Sequence, residues 1–345
     1  MLDLRSDTFT LPSKEMKDAM YQAPVGDDVF GEDPTVNELQ QFAADLFGME
    51  AALYCSSGTQ TNQIAINVHT QPGDEVICSN LAHIYIYEGG GIALNSGCSV
   101  RLIEKPFGMF TAEDVVSNIN NKNDIHLPLT RLICIEDTMN KGGGAIWDFN
   151  EIKKIKSVCQ TYGLKLHCDG ARLFNALIET GISPTEYAQS FDSISICLSK
   201  GLGAPVGSLL LGKKDFIERA RRRRKSLGGG MRQAGIIAAA GLFALKNNIE
   251  RLQDDHQNAK YLGEILLTHP NISSVYPIQT NIVIAETIDP RGAASFVEEM
   301  KDKEILCFPF GPNKVRFVTH MGIDRKSIEN HFRLDANNIQ RNVNQ

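Results

Sequence analysis

Between about residues 50 and 211, short apolar runs alternate with segments whose apolar residues recur at helical spacing. This alternation predicts a mostly parallel seven-stranded sheet flanked by helices, because parallel strands need a crossover connection that is usually a helix. Ligands bind beyond the carboxyl ends of the strands in such sheets, so polar residues that follow the runs are the first candidates for a site. The predicted strands are Ala51–Cys55, Glu75–Ser79, Ser99–Glu104, Arg131–Glu136, Leu164–Cys168, Ser193–Leu198 and Val206–Leu211.

The rest of the chain predicts a smaller C-terminal α/β domain. A long helical region from Gln233 to about His269 precedes two strand-like runs, Asn281–Glu286 and Lys314–His320, around a helix near Arg291–Lys303. We therefore expect an N-terminal segment (1–14), a large domain (15–245) and a small domain (246–345).

Composition excludes several classes of function. A net charge of −6 gives no general attraction to nucleic acid or to anionic membranes, and no apolar stretch is long enough to span a bilayer. The start, MLDLRSDTFT, does not resemble a signal peptide. The eight cysteines are scattered, with no C-x-x-C pair, which favours buried free thiols in a reducing cytoplasm. The histidines form no H-E-x-x-H pattern, so we expect no catalytic metal.

The first polar strand end is YCSSGTQTNQIA, residues 54–65. Here a strand runs into a helix through Ser57, Gly58 and Thr59, with Thr61 one turn on. Free backbone N–H groups and hydroxyls at a helix start suit a phosphate. Ordinary N-capping by Ser or Thr is the alternative, and this motif alone favours it.

Two further strand ends carry charge. Asp169, in LKLHCDGARLF, either pairs with a ligand or caps the following helix, and Arg172 either points into the same cleft or forms a surface salt bridge. Lys200 follows SISICLS and is surrounded by Ser199, Gly201 and Gly203. Partial burial would lower the pKa of such a lysine and make it nucleophilic, whereas a solvated surface amine is the alternative.

Together these strand ends match the needs of one cofactor. Pyridoxal 5'-phosphate requires a lysine for a Schiff base, an acid opposite its pyridine nitrogen and a cradle for its phosphate. The sequence supplies Lys200, Asp169 and residues 57–59 for these three roles.

Seven motifs, in order along nearly the whole chain, resemble the low-specificity L-threonine aldolases, which belong to the aspartate-aminotransferase-like (fold type I) pyridoxal-phosphate enzymes. The motifs are LRSDTFT (4–10), VGDDVFGEDPTVNELQ (25–40), SSGTQTNQIA (56–65), AHIYIYEGGG (82–91), HCDGARLFNA (167–176), ICLSKGLGAPVGSLLLG (196–212) and GGGMRQAGIIAAAG (228–241).

The resemblance implies roles for individual residues. Lys200 would form the Schiff base, Asp169 would pair with the pyridine nitrogen and His83 would stack on the ring. Three further assignments concern binding and proton transfer: Ser57, Gly58, Thr59 and Arg232 at the phosphate, Ser6, Arg172 and Arg316 at the substrate carboxylate, and His126 near the β-hydroxyl. The resemblance also implies that the N-terminal segment (1–14) contributes to the active site, that the large domain (15–245) binds the cofactor, and that the assembly is a homotetramer built as a dimer of dimers. His83 and His126 would otherwise be interpreted as ordinary core or surface histidines.

Two stretches depart from these expectations or leave them open. In IEDTMNKGGGAIWD (135–148), Met139 stands where the family usually has a histidine. The basic run ARRRRKSLGGG (220–230) is a solvated helix face, a charge near the phosphate or, least well supported, a nucleic-acid contact.

The resemblance implies retro-aldol cleavage of L-threonine, L-allo-threonine and similar β-hydroxy amino acids to glycine and an aldehyde. The base would be His83, His126 or a bound water. A related pyridoxal-phosphate lyase that performs β-elimination is the alternative enzyme, and a non-catalytic member of the fold is the alternative from another class.

Overall fold

A computed structural model describes residues 1–332. The described residues contain thirteen strands: β1 (Leu2–Asp3), β2 (Ala51–Cys55), β3 (Glu75–Ser79), β4 (Ser99–Ile103), β5 (Thr130–Glu136), β6 (Lys165–Gly170), β7 (Ser193–Cys197), β8 (Ser208–Gly212), β9 (Ile272–Val275), β10 (Ile282–Thr287), β11 (Ile305–Leu306), β12 (Phe308–Pro309) and β13 (Lys314–Val318).

The same residues form fourteen α-helices: α1 (Lys14–Gln22), α2 (Pro34–Phe47), α3 (Gly58–His69), α4 (His83–Ile86), α5 (Gly91–Ser96), α6 (Ala112–Asn118), α7 (Phe149–Tyr162), α8 (Leu173–Thr180), α9 (Pro184–Ala188), α10 (Lys214–Ser226), α11 (Gly235–Asn247), α12 (Leu252–Leu267), α13 (Ala293–Asp302) and α14 (Arg325–Phe332). Short 3₁₀ helices lie at Asp7–Phe9, Asp28–Phe30 and Pro106–Gly108.

The chain divides into two compact units. One comprises residues 11–250, and the other combines residues 1–10 with the described residues from Arg251 onward. The boundaries expected from the sequence, after residues 14 and 245, lie a few positions away. Residues 1–10 belong with the C-terminal unit because β1 pairs in parallel with β11.

The larger unit is built on a seven-stranded sheet in the order β2-β8-β7-β6-β5-β3-β4. The predicted fold class is confirmed, and all seven predicted strands form within two residues of their expected ends. Strands β3, β7 and β8 are buried at every position, as expected for a sheet covered on both faces.

Only β8 breaks the parallel pattern of this sheet, because it runs antiparallel to both of its neighbours, β2 and β7. No helix separates β7 from β8 in the chain, and a parallel pairing would need a longer crossover.

The smaller unit contains a four-stranded antiparallel sheet in the order β12-β13-β10-β9. Apolar residues of this sheet and of α12 and α13, among them Phe317, Leu262 and Phe296, form one buried cluster. The predicted strands near 281–286 and 314–320 are present as β10 and β13. Strands β1, β9, β11 and β12 were not predicted, since runs of two to four residues are too short to show a period.

The predicted helical region 233–269 is two helices, α11 and α12, and the division between the units falls in the break between them. Asn248 ends α11 and donates its side-chain amide to the carbonyl of Leu202 at 2.8 Å. None of the helices within residues 1–332 has the length and apolar composition required to cross a bilayer. All eight cysteines are buried free thiols, as the sequence predicts.

Candidate active site

Two carboxyl groups lie side by side at the carboxyl ends of the central strands. Glu136 of β5 and Asp169 of β6 are register partners, and Asp169 is also paired with Ser195 of β7. The Asp169 side chain is buried, with 2% of the residue exposed, and its Oδ2 atom has no hydrogen-bond partner among residues 1–332. A buried carboxylate oxygen without a donor is costly, so this atom is suited to receive an N–H from a ligand.

Glu136 is held by backbone donors. Its Oε2 accepts from the His83 backbone N–H at 2.6 Å, and its Oε1 accepts from the Asn140 backbone N–H at 2.9 Å. Burial raises the pKa of Glu136, and the neighbouring charge of Asp169 adds to this effect. The structure thus places an acid that holds its proton readily beside one with an unused acceptor.

His83 begins the short helix α4 and lies beside these acids. Its Nδ1 is 3.0 Å from Oε1 of Glu88. One ring nitrogen of His83 and one carboxylate oxygen each of Glu88 and Asp169 lie within 4.8 Å of one another. Burial alone would lower the pKa of His83, but the hydrogen bond to Glu88 and the charges of Asp169, Glu88 and Glu136 raise it. The structure therefore brings together two predicted site residues, His83 and Asp169.

Lys200 lies just beyond the end of β7. Its Nζ is 3.2 Å from Sγ of Cys197, and it lines a small cavity of about 10 Å³ together with Arg172. The same Sγ atom approaches the start of α3, since a Cβ added at Gly58 would lie 2.6 Å from it. Cys197 thus links the lysine to the predicted phosphate loop, and only glycine fits at position 58 without displacing that sulfur.

Gly203 has a backbone role in the turn that follows Lys200. Gly203 has a φ of 80°, which favours glycine, and its N–H donates to the Lys200 carbonyl at 2.8 Å. This glycine forms the tight turn after the lysine.

The start of α3 retains the features of an anion site. The backbone N–H groups of Gly58 and Thr59 belong to the first turn of a twelve-residue helix and have no acceptor within it. Ser57 accepts from the Gln60 N–H at 3.1 Å, so the capping interpretation holds for its oxygen, while its O–H can still donate. The Thr61 hydroxyl differs, because it is buried against Ser195 at 2.6 Å.

Two predicted site residues lie on the surface of the larger unit. The His126 side chain is 85% exposed in a turn, and its Nδ1 contacts the Asp124 carboxylate at 2.9 Å. The Arg232 side chain is 54% exposed and donates to Asp27 at 2.8 Å. The structure therefore does not bring either residue into the buried group around Asp169, and their assigned roles stay predictions.

The three residues predicted to bind the substrate carboxylate are divided between the units. Arg172 is buried in the larger unit. Ser6 and Arg316 belong to the smaller unit, where Ser6 caps a 3₁₀ turn by accepting from the Thr8 N–H and Arg316 donates to the Arg5 carbonyl at 3.2 Å. Their joint action on a substrate stays a prediction.

Comparison with known proteins identifies the family. Residues 3–289 match the model for the beta-eliminating lyases. The chain is 43% identical over 330 residues to the low specificity L-threonine aldolase of Escherichia coli K12, covering 95% of this chain and 96% of the relative. It is 41% identical to a probable low-specificity L-threonine aldolase of Arabidopsis thaliana, covering 95% and 94%. The chain belongs to the low-specificity L-threonine aldolase family.

Solved structures agree with the fold of this threonine aldolase family member. A threonine aldolase from Leishmania major superposes with a TM-score of 0.83 at 21% identity, covering 96% of this chain and 98% of that one. A putative L-allo-threonine aldolase from Listeria monocytogenes gives a TM-score of 0.79 at 20% identity, with coverage of 96% and 94%.

Sequence reasoning missed two residues of the group around Asp169, Glu136 and Glu88. Glu88 accepts from His83, five residues earlier, and from Asn62 and Gln63, which are distant in the chain, so no recognised local spacing indicates its role. Its place in AHIYIYEGGG, inside a motif of the family resemblance, was the only signal. Met139, where the family usually has a histidine, is buried and would contact a Cβ added at Gly108.

Proposed function

We propose that this protein cleaves L-threonine, L-allo-threonine and related L-β-hydroxy-α-amino acids to glycine and an aldehyde, using pyridoxal 5'-phosphate. The names of the relatives support the reaction, and the unpartnered Oδ2 of Asp169 is the observation in this chain that supports the cofactor. A protonated pyridine nitrogen is a donor of the kind that this oxygen lacks.

The residues near the strand ends fit the cofactor. Asp169 would hold the pyridine nitrogen, Lys200 would bind the aldehyde carbon, and residues 57–59 would hold the phosphate at the start of α3. His83 would cover the ring face, and Arg232 is proposed as a further phosphate ligand. When bound, the cofactor supplies an electron-withdrawing ring that accepts the electron pair released at the substrate Cα.

The substrate carboxylate is assigned to two arginines, because a guanidinium group can donate two parallel hydrogen bonds to a carboxylate. Arg172 and Arg316, with the hydroxyl of Ser6, would fix the amino acid so that its Cα–Cβ bond is the one that breaks.

Cleavage requires removal of the β-hydroxyl proton. As the Cα–Cβ bond breaks, the O–H proton passes to a base, the aldehyde leaves, and Cα takes up a proton to give glycine. His83 is the favoured base because it lies in the buried group, while His126 and a bound water remain proposed alternatives. Such a base typically contributes about 10²–10⁴-fold in rate.

The family model favours one competing reaction. A beta-eliminating lyase would use the same Lys200 and Asp169 but would expel a group from Cβ, giving 2-oxobutanoate from threonine.

We also propose a cytoplasmic homotetramer arranged as a dimer of dimers.

The deciding experiment supplies L-threonine and L-allo-threonine to the purified protein with pyridoxal 5'-phosphate and measures glycine, acetaldehyde and 2-oxobutanoate. We expect glycine and acetaldehyde in equal amounts, and no activity in Lys200→Ala. Lys165→Ala, at the opposite end of a central strand, is the matched control and should remain active. Formation of 2-oxobutanoate, or equal activity in Lys200→Ala, would contradict the proposal.

A further inference from the structure

Glu88 collects three hydrogen bonds in a buried position next to the candidate base. Its Oε1 lies 3.0 Å from both Nδ2 of Asn62 and Nδ1 of His83, and its Oε2 lies 2.6 Å from Nε2 of Gln63. The Glu88 side chain is inaccessible to solvent. A carboxylate only accepts hydrogen bonds, so each of these three nitrogens must present a hydrogen to it.

A hydrogen-bonded chain of side chains extends beyond Asn62, through the buried His167 and Ser193 to the half-buried His69. Its Oδ1 lies 3.1 Å from Nε2 of His167, and an amide oxygen can only accept, so that nitrogen carries the hydrogen. Burial lowers the pKa of His167 to about 4, so its ring is neutral near pH 7 and its Nδ1 is an acceptor. That Nδ1 is 2.8 Å from the Ser193 hydroxyl, which must therefore donate to it.

The contact between Ser193 and His69 fixes the direction of donation along the whole series of hydrogen bonds. Because Ser193 gives its only hydrogen to His167, its oxygen must accept from Nε2 of His69 at 2.8 Å. Burial lowers the pKa of His69 to about 3, so that ring is neutral with the hydrogen on Nε2. Every donor from His69 to Asn62 thus points toward Glu88, and no amide or imidazole can reverse without placing two donors or two acceptors together.

We propose that Glu88 is a positioning residue that holds His83 as the Nδ1–H tautomer, and that the Asn62–His167–Ser193–His69 chain keeps Glu88 oriented as an acceptor. Nε2 is then the only nitrogen of a neutral His83 ring that can accept a proton. It points away from Glu88, because the two nitrogens of an imidazole face different directions in the ring plane. The inference deepens the proposed function and rests on it only where His83 is taken as the base.

The tautomer can be measured without turnover. Protein labelled with ¹⁵N-histidine is examined by long-range ¹H–¹⁵N correlation at about pH 9, where ordinary imidazoles are neutral. The His83 signals are assigned by their loss in His83→Asn. We expect the Nδ1–H pattern for His83 in the unaltered protein, and a shift toward Nε2–H or a mixture in Glu88→Ala.

Two further variants separate positioning from misfolding. Glu88→Gln keeps the shape of the side chain and can keep its oxygen toward Asn62 and His83 by turning its NH₂ toward Gln63, whose own amide can reverse, so this variant should retain the Nδ1–H pattern. Glu104→Gln, at an exposed glutamate, should leave the tautomer unchanged. We expect kcat to fall on the order of 10²-fold in Glu88→Ala, with a smaller change in KM.

Each outcome has a definite meaning. An Nε2–H pattern for His83 in the unaltered protein, or an unchanged Nδ1–H pattern in a folded Glu88→Ala protein, would overturn the proposal. If the tautomer shifts as expected but the unaltered protein does not cleave threonine, the positioning role of Glu88 stands and the proposed function fails.

Discussion

The two edges of the parallel part of the large sheet differ in how they partner their charges. At the amino edge, Asp192 precedes β7 and accepts from Lys156 at 2.9 Å, from Lys165 at 3.0 Å and from the Leu166 N–H at 3.0 Å. At the carboxyl edge, Asp169 is more deeply buried, yet one of its oxygens has no donor. The charge at the amino edge is therefore partnered within the protein, whereas the charge at the carboxyl edge has an unused acceptor of the kind that the proposed cofactor site requires.

The largest difference between the edges should appear in activity. Asp169→Asn keeps the shape of the side chain but removes the charge that would stabilise a protonated pyridine nitrogen. We expect kcat/KM for threonine to fall on the order of 10²–10³-fold, the range for losing one electrostatic stabiliser from an active site. Steady-state kinetics at saturating cofactor measure this. Asp192→Asn is the matched control, and a comparable loss in that variant would remove the distinction.

The second prediction concerns the free energy of unfolding, to which Asp192 rather than Asp169 should contribute. Asp192 should stabilise the fold because its hydrogen bonds with Lys156, Leu166 and Lys165 lower its pKa, although burial acts in the opposite direction. We expect Asp192→Asn to lower the free energy of unfolding by about 1–2 kcal/mol near pH 7, since both lysines retain some solvent contact. Urea unfolding monitored by circular dichroism measures it.

The pH dependence of that effect has a defined sign. A carboxyl group with a lowered pKa in the folded state stabilises the protein above its unfolded pKa, and the contribution disappears as the pH falls through the folded value. The difference between Asp192→Asn and the unaltered protein should therefore shrink toward about pH 3. A difference that stays constant would show that the ion pairs are not its cause.

The smallest effect is expected at Glu136, with the opposite sign. Its raised pKa means that the folded protein keeps this proton at a pH where the unfolded chain has lost it. Stability should therefore decline as the pH rises from the usual glutamate pKa through the folded value, by on the order of 1 kcal/mol, and Glu136→Gln should remove that decline. Urea unfolding between about pH 5 and pH 8 tests this, and parallel curves for the two proteins would refute it.

The sequence could predict the large sheet because its strands are marked locally. Ala51–Cys55 and Glu75–Ser79 have the predicted bounds, since polar or small residues interrupt the apolar runs at both ends. The antiparallel direction of β8 follows from the short connection between β7 and β8. The spacing of apolar residues within a strand carries no information on strand direction. The short strand β9 lacks enough residues to show a period at all.

The site was predictable to the extent that its residues follow strands directly. Asp169 and Lys200 have that position, and their motifs indicated their chemistry. Glu88 could not be found in this way, because it lies between α4 and α5 and its partners Asn62 and Gln63 come from α3. His126 lies in an exposed turn where the resemblance alone gives it a role.

The central claim is that Lys200 and Asp169 serve one bound cofactor, and a covalent label tests it most directly. The protein is saturated with pyridoxal 5'-phosphate, reduced with sodium borohydride, digested and mapped by mass spectrometry. The account predicts that Lys200 is the labelled lysine and that Asp169→Asn reduces labelling at limiting cofactor. Labelling at another lysine with Lys200 unmodified, or labelling unaffected by Asp169→Asn, would contradict it.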